Sequence, residues 1–154
     1  MLRYIFLSVF ALLVPTVCGN KDLDQFKQSG FTDCDKCDLS GVDLSGTDLS
    51  NAKLFKVQFV GADLTGTNLS GATLFSSHFT RANLSGANLV GANLGYANLQ
   101  EANLAGANLT EAYLGNTHLA GADLTGANLT NVDYGPDRTD NPGSLPRSFP
   151  DLRK

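Results

Sequence analysis

The sequence has no tryptophan, one methionine, two histidines and no proline between Val17 and Gly135. Charged residues make up only 17%, and eleven bases face fifteen acids, for a formal net charge of −4. Without a basic excess there is no electrostatic face for general nucleic-acid binding. Two histidines and three cysteines, with no second C-x-x-C, leave a zinc centre short of ligands. No apolar run reaches the roughly 20 residues that cross a bilayer. No nucleophile–base pair and no phosphate-binding glycine loop is present, so neither catalysis nor a cofactor is expected. The gap in prolines leaves every backbone N–H from Val17 to Gly135 available to a ladder.

The first nineteen residues read as a leader. Arg3 supplies a positive start, Tyr4 to Val14 an apolar stretch, and Pro15 ends it. Val17 and Gly19 then place small residues for cleavage before Asn20. A lipidated Cys18 is the alternative, although Pro15-Thr16-Val17 lacks the usual residues of such a site. Removal of residues 1–19 takes away Arg3 and leaves a mature charge of −4 − 1 = −5.

From Cys37 to Pro136 the chain reads as 20 uninterrupted blocks of five. The middle residue, the centre, is Leu in 17 blocks, with Phe59, Phe79 and Tyr134 in the others. Two places earlier stands a small or β-branched residue, Ala in 12 blocks. Between them lies Asn or Asp in 14 blocks, and Ser, Thr and Gly dominate the last two places. A period of five matches neither a helix face nor a strand face. The chain must therefore turn once per block and point the centre and the small residue inward. A second period sets the coil. Ala52–Gly71 and Ala72–Gly91 share ten of twenty residues, pairing Phe55 with Phe75 and Phe59 with Phe79. Four blocks per coil give a square cross-section and about five coils, a rod roughly 24 Å long at ~4.8 Å per coil.

These residues resemble the pentapeptide-repeat family, often written A(D/N)LXX. Ala87-Asn88-Leu89-Val90-Gly91 and Ala107-Asn108-Leu109-Thr110-Glu111 match it directly. The resemblance covers about two thirds of the chain. It implies an all-β fold, a right-handed quadrilateral β-helix, and it implies no single function.

The remaining segments read as caps. Asn20 suits the start of a short helix over Lys21–Ser29, with Gly30 as its stop. Leu23 and Phe26 share one face and are expected to lie across the first coil. The domain plan is therefore a leader 1–19, a cap 20–36, a β-helix 37–136 and an extended tail 137–154, free to fold back over the open end.

Four groups of residues are candidates for chemistry or contact. Cys34 and Cys37 point inward across one corner, and in an exported chain a disulfide is the leading reading. Two buried thiols and a redox-active pair are the alternatives. His78 and His118 share an outer column but lie two coils apart, roughly 10 Å, too far for one metal. Asp38, Asp43, Asp48 and Asp63 form an acidic rim, read as a solvated edge rather than a cation site. Phe55 and Phe75 follow centres on successive coils and point outward, with Tyr96 beside the corresponding place in the next coil. They are the candidate contact surface.

The first functional reading is an exported, non-catalytic scaffold that binds an unknown protein or its own copies, in a periplasm, a thylakoid lumen or outside the cell. No nucleic acid and, after leader removal, no membrane span is expected. The resemblance supplies an alternative, since some family members mimic duplex DNA and protect DNA gyrase. With eight acids and three bases in the repeat, net −5, the surface is only modestly negative. A thiol/disulfide protein using Cys34 and Cys37 is the third reading.

Overall fold

The computed structural model describes residues 20–135. The expected leader, residues 1–19, and the expected tail, residues 137–154, lie outside them, as does Pro136 at the end of the expected β-helix. Each block forms one side of a four-sided coil, and parallel bridges join residues twenty apart, from Asp33 with Lys53 to Tyr113 with Asp133. The period of twenty in the sequence is thus the coil itself.

The backbone is satisfied from coil to coil. The N–H of each inner centre donates to the coil above, as from Leu84 to Asn103 O at 2.7 Å, while the N–H before it donates below, as from Asn83 to Ala62 O at 2.9 Å. The corners are tight turns, in which the N–H of the next small residue reaches back to the centre's carbonyl, as from Ala87 to Leu84 O at 3.1 Å. The second residue after every centre from Cys34 to Leu129 has positive φ, and ten of these twenty residues are not glycine, Lys56, Tyr96 and Glu111 among them. The left-handed corner is therefore imposed by the coil, since side chains disfavour it locally.

The Asn or Asp before each centre has a structural task. Its side chain accepts from the N–H two residues on, as Asp43 does from Ser45 at 2.9 Å and Asn108 from Thr110 at 3.1 Å. This local bond pre-forms the bend. Neighbouring coils are also laced side chain to side chain: Asn68 donates to Asp48 at 2.9 Å and Asn88 to Asn68 at 3.0 Å.

The interior is filled by the centres and their small neighbours. Every centre from Cys34 to Leu119 is at most 3% exposed, and exposure rises to 5% at Leu124 and 9% at Leu129. The rise marks the C-terminal end, where no coil lies above among the described residues. Phe59 and Phe79 stack inside with centroids 5.0 Å apart, as their shared column predicts. Where the small place is polar and a coil lies below, the hydroxyl bonds to that coil: Thr67 donates to Leu44 O at 2.9 Å and Thr117 to Leu94 O at 2.8 Å.

At the N-terminal end α1 spans Lys21–Gln28. Asn20 caps it, accepting from the N–H groups of Asp22 and Leu23. Ser29 ends the helix as its C-cap, one residue earlier than the sequence suggested, and Gly30 follows with φ +70°. Phe26 is fully buried and Leu23 half-buried against the first coil. Thr32–Lys36 already forms a side of the first coil, with Cys34 N–H bonded to Lys53 O and Lys36 N–H to Phe55 O.

Candidate functional site

The four sides differ in chemistry. One side, with centres Cys34, Leu54, Leu74, Leu94, Leu114 and Tyr134, gathers Lys36, Lys53, Lys56, Phe55, Phe75, Tyr96 and Tyr113. Two other sides carry Asp43, Asp63 and Asp123, and Asp48 and Glu111, with no lysine or arginine. Arg81 belongs to the fourth side, held by Glu101 of the next coil at 2.6 Å.

The aromatic side is built one coil at a time. Phe55 and Phe75 stack nearly parallel, centroids 5.8 Å apart and planes 11° apart. Tyr96 leans on Phe75 at 5.2 Å and is 53% exposed. The Lys56 ammonium sits 4.8 Å from the Phe55 ring centroid, a cation–π contact. Both phenylalanines point outward, as the frame requires, yet they are half-buried because each covers the other.

Tyr113 completes this side, and sequence reasoning passed over it. It stands where Asn or Asp usually stands, and its ring lies back over Gly95 and Gly115. A Cβ at Gly95 would lie 2.8 Å from the Tyr113 ring and 3.2 Å from the Phe75 ring. One at Gly115 would collide with the Tyr113 hydroxyl. The signal was present in the glycines: both occupy the place that holds Phe55 and Phe75 in the coils below.

The other candidate groups are spread out. The structure brings the sulfurs of Cys34 and Cys37 together across the first corner, with Cα atoms 5.5 Å apart. Cys34 is buried and Cys37 half-buried. His78 and His118 are exposed, and each pairs with Asn98 from opposite sides, which places them two coils apart. Asp38, Asp43 and Asp48 occupy three successive sides of the first coil, and Asp63 lies one coil beyond Asp43. Among the described residues no group of three or more His, Cys, Asp or Glu side chains stands close enough to hold a metal ion.

The exposed aspartates titrate with their turns. The Ser45 hydroxyl and then its amide hold the Asp43 carboxyl below the usual aspartate range, and Thr125 does the same to Asp123. For Asp48 the Ser50 amide leads. A carboxylate lowered in the folded state adds stability above its unfolded value of about 3.9. That contribution is lost as pH falls through the lowered folded value. The urea midpoint should therefore be flat in these groups above about pH 5 and fall in stronger acid. Asp43→Asn keeps the acceptor, as Asn108 and Asn128 do for their own threonines. It should leave the neutral midpoint unchanged and make the acid limb shallower. An unaltered acid limb would show that Asp43 carries none of it.

The profile of the family described as Pentapeptide repeats matches in eight copies, over residues 32–71, 67–104 and 97–133. None of the curated proteins matches the chain. Among solved structures, the pentapeptide repeat protein Rfr23 from the cyanobacterium Cyanothece 51142 is 29% identical. The match covers 75% of this chain and 98% of Rfr23, with a TM-score of 0.38. HetL, a pentapeptide repeat protein involved in heterocyst differentiation regulation in Nostoc sp. strain PCC 7120, is 35% identical over 66% of this chain, with a TM-score of 0.26. The match spans about half of HetL, 52% of its length. QnrB1, a plasmid-mediated fluoroquinolone resistance protein, is 19% identical over 67% of this chain and 63% of its own, with a TM-score of 0.42. The five-residue frame, matched across most of the chain and folded block by block into four-sided coils, makes this protein a member of the pentapeptide-repeat family, with its right-handed quadrilateral β-helix.

Proposed function

We propose that this protein is an exported, non-catalytic scaffold that binds a protein partner, or a second copy of itself, through the side bearing Phe55, Phe75 and Tyr96. The observation that carries this reading is the outward aromatic stack on a surface otherwise made mostly of small and polar residues. Rings clustered on a rigid β face are what contact sites use. The hydroxyls support the non-catalytic part. Those of Thr65, Thr110, Thr125 and Thr130 donate to the neighbouring Asp or Asn, and those of Thr67, Ser77 and Thr117 to backbone carbonyls. They serve the turns and the walls.

The test is the double change Phe55→Ser and Phe75→Ser. The melting temperature should stay nearly unchanged, because the rings lie outside the coil. Self-association or partner capture should weaken. Unfolding like that of a core variant would make the rings structural and remove the contact role.

Export rests on the apolar stretch Tyr4 to Val14 with Val17 and Gly19, and on the paired cysteines, which persist in oxidising compartments. The compartment is a periplasm, a thylakoid lumen or the extracellular space. Intact mass spectrometry of the mature protein, isolated without reductant, should show Asn20 as the first residue and no free thiol at Cys34 or Cys37. The bond should add little stability, because the loop it closes is short. A retained leader, a lipid on Cys18, or two free thiols would overturn this part.

A further inference from the structure

The aromatic side is uneven along its length, and the unevenness is ordered. The place after the centre reads Phe55, Phe75, Gly95 and Gly115 in four successive coils, two rings followed by two glycines. The phenylalanines stand outward and half-buried, whereas both glycines are buried, with the Tyr113 ring against them. Such a column is its own complement when turned end for end. A two-fold axis between the coils of Phe75 and Gly95 sets each phenylalanine of one copy over a glycine of the other, where its ring meets the Tyr113 ring. An isologous contact of this kind closes on itself as a dimer, the commonest form of assembly.

The charges are ordered in the same sense. The first two coils of this side, counted with its edges, hold Lys36, Lys53 and Lys56 against Asp33 and Asp35, 3 − 2 = +1. The last two described coils hold Glu111 and Asp133 and no base, a charge of −2. The two coils between them carry no charge. Two copies side by side in the same direction would set positive end on positive end and negative on negative. The antiparallel pair sets the positive end on the negative one, and such matching decides which arrangement forms. Lys53 then stands at the level of Glu111 of the other copy, two residues to the side, roughly 7 Å along the strand direction. Both side chains are exposed and long enough to meet. Asp33 falls opposite Asp133 at the exposed ends, each within one coil of a Lys53.

We propose that a second copy of this chain is the occupant of the aromatic side, packed antiparallel through Phe55, Phe75 and Tyr113 with Lys53 of each copy beside Glu111 of the other. The proposal rests on the reading of this side as a contact surface and names the partner. One side of a rod roughly 24 Å long buries less than the ~1,200 Å² of a standard interface, so monomer and dimer should exchange.

Sedimentation equilibrium of the intact protein, from about 10 µM to 1 mM, covers the affinities of a contact this small. The chain should dimerise within that range. Lys53→Glu sets like charges side by side and should weaken dimerisation about tenfold. Adding Glu111→Lys to Lys53→Glu should restore it. Within one chain the two positions are three coils apart, roughly 14 Å, so the recovery reports contact between copies. Glu111 occupies a left-handed corner, as Lys36 and Lys56 do, so the swap suits the backbone. A chain that stays monomeric throughout overturns the proposal, and so does a swap that associates no better than Lys53→Glu alone. The contact reading fails by a different result: Phe55→Ser with Phe75→Ser leaving both self-association and partner capture unchanged.

Discussion

Leu89→Ala is expected to cost about 2–5 kcal/mol of unfolding free energy. Val90→Ala is expected to stay within about 0.5–1 kcal/mol. The two residues are adjacent, so local propensity and position in the rod are shared. What differs is direction. Leu89 is a fully buried centre in the third of five coils, between Leu69 and Leu109 in its column. Val90 follows it on the outer surface and is half-buried. The cost at Leu89 has a transfer part and a cavity part, and the second depends on how far the surroundings close in. Here they close in little, because the walls are held at fixed spacing by backbone bonds such as Leu89 N–H to Asn108 O at 2.7 Å and Asn88 N–H to Thr67 O at 2.9 Å. Urea melts of both variants, with unchanged slopes, measure the difference. Equal destabilisation would mean that the inward frame is wrong.

Ala87→Leu is expected to destabilise by about 3 kcal/mol, the upper end of the ordinary range for overpacking. Ala87 is fully buried, immediately before Asn88 and Leu89, and its column continues through Thr67 and Ala107. Each coil already holds four large and four small side chains. Another leucine has no void to enter, and the same ladder that prevents collapse prevents expansion. Ala127→Leu is the matched control. Ala127 shares the column but sits half-buried in the last described coil, with no coil above it among the described residues. It should lose about 1 kcal/mol or less. Equal losses at the two sites would show an interior wider than the side chains require.

The period of five, the shift of twenty and the inward leucines were legible because each is a repeated constraint. Twenty instances of one spacing leave no competing reading. The inner stack of Phe59 on Phe79 and the outer stack of Phe55 on Phe75 followed from the same arithmetic. Tyr113 did not, because its place in the block is normally given to a turn-forming Asn or Asp. Its ring direction depends on space left by Gly95 and Gly115 in two coils. Thr67, Ser77 and Thr117 were legible only as small residues. Their bonds to carbonyls 23 residues earlier need the register between coils as well as the frame within one. Thr32–Lys36 keeps the frame of the repeat, with Cys34 as its centre, although it lacks the repeat's Ala and Leu, and its backbone pairs with Lys53 and Phe55.

A coil of four equal sides also makes the surface sensitive to a change that the interior does not register. Deleting any five consecutive residues between Phe75 and Tyr96 restores the inward order at once, and the centres beyond it still stack. Everything past the deletion is nevertheless turned by a quarter. Tyr96 and Tyr113 would then stand around the corner from Phe55 and Phe75, and the lysines would keep only the two phenylalanines. Twenty residues, by contrast, can be removed or added with every outward column kept in line. Length in this fold is thus quantised twice, in fives for the core and in twenties for any side that carries a function.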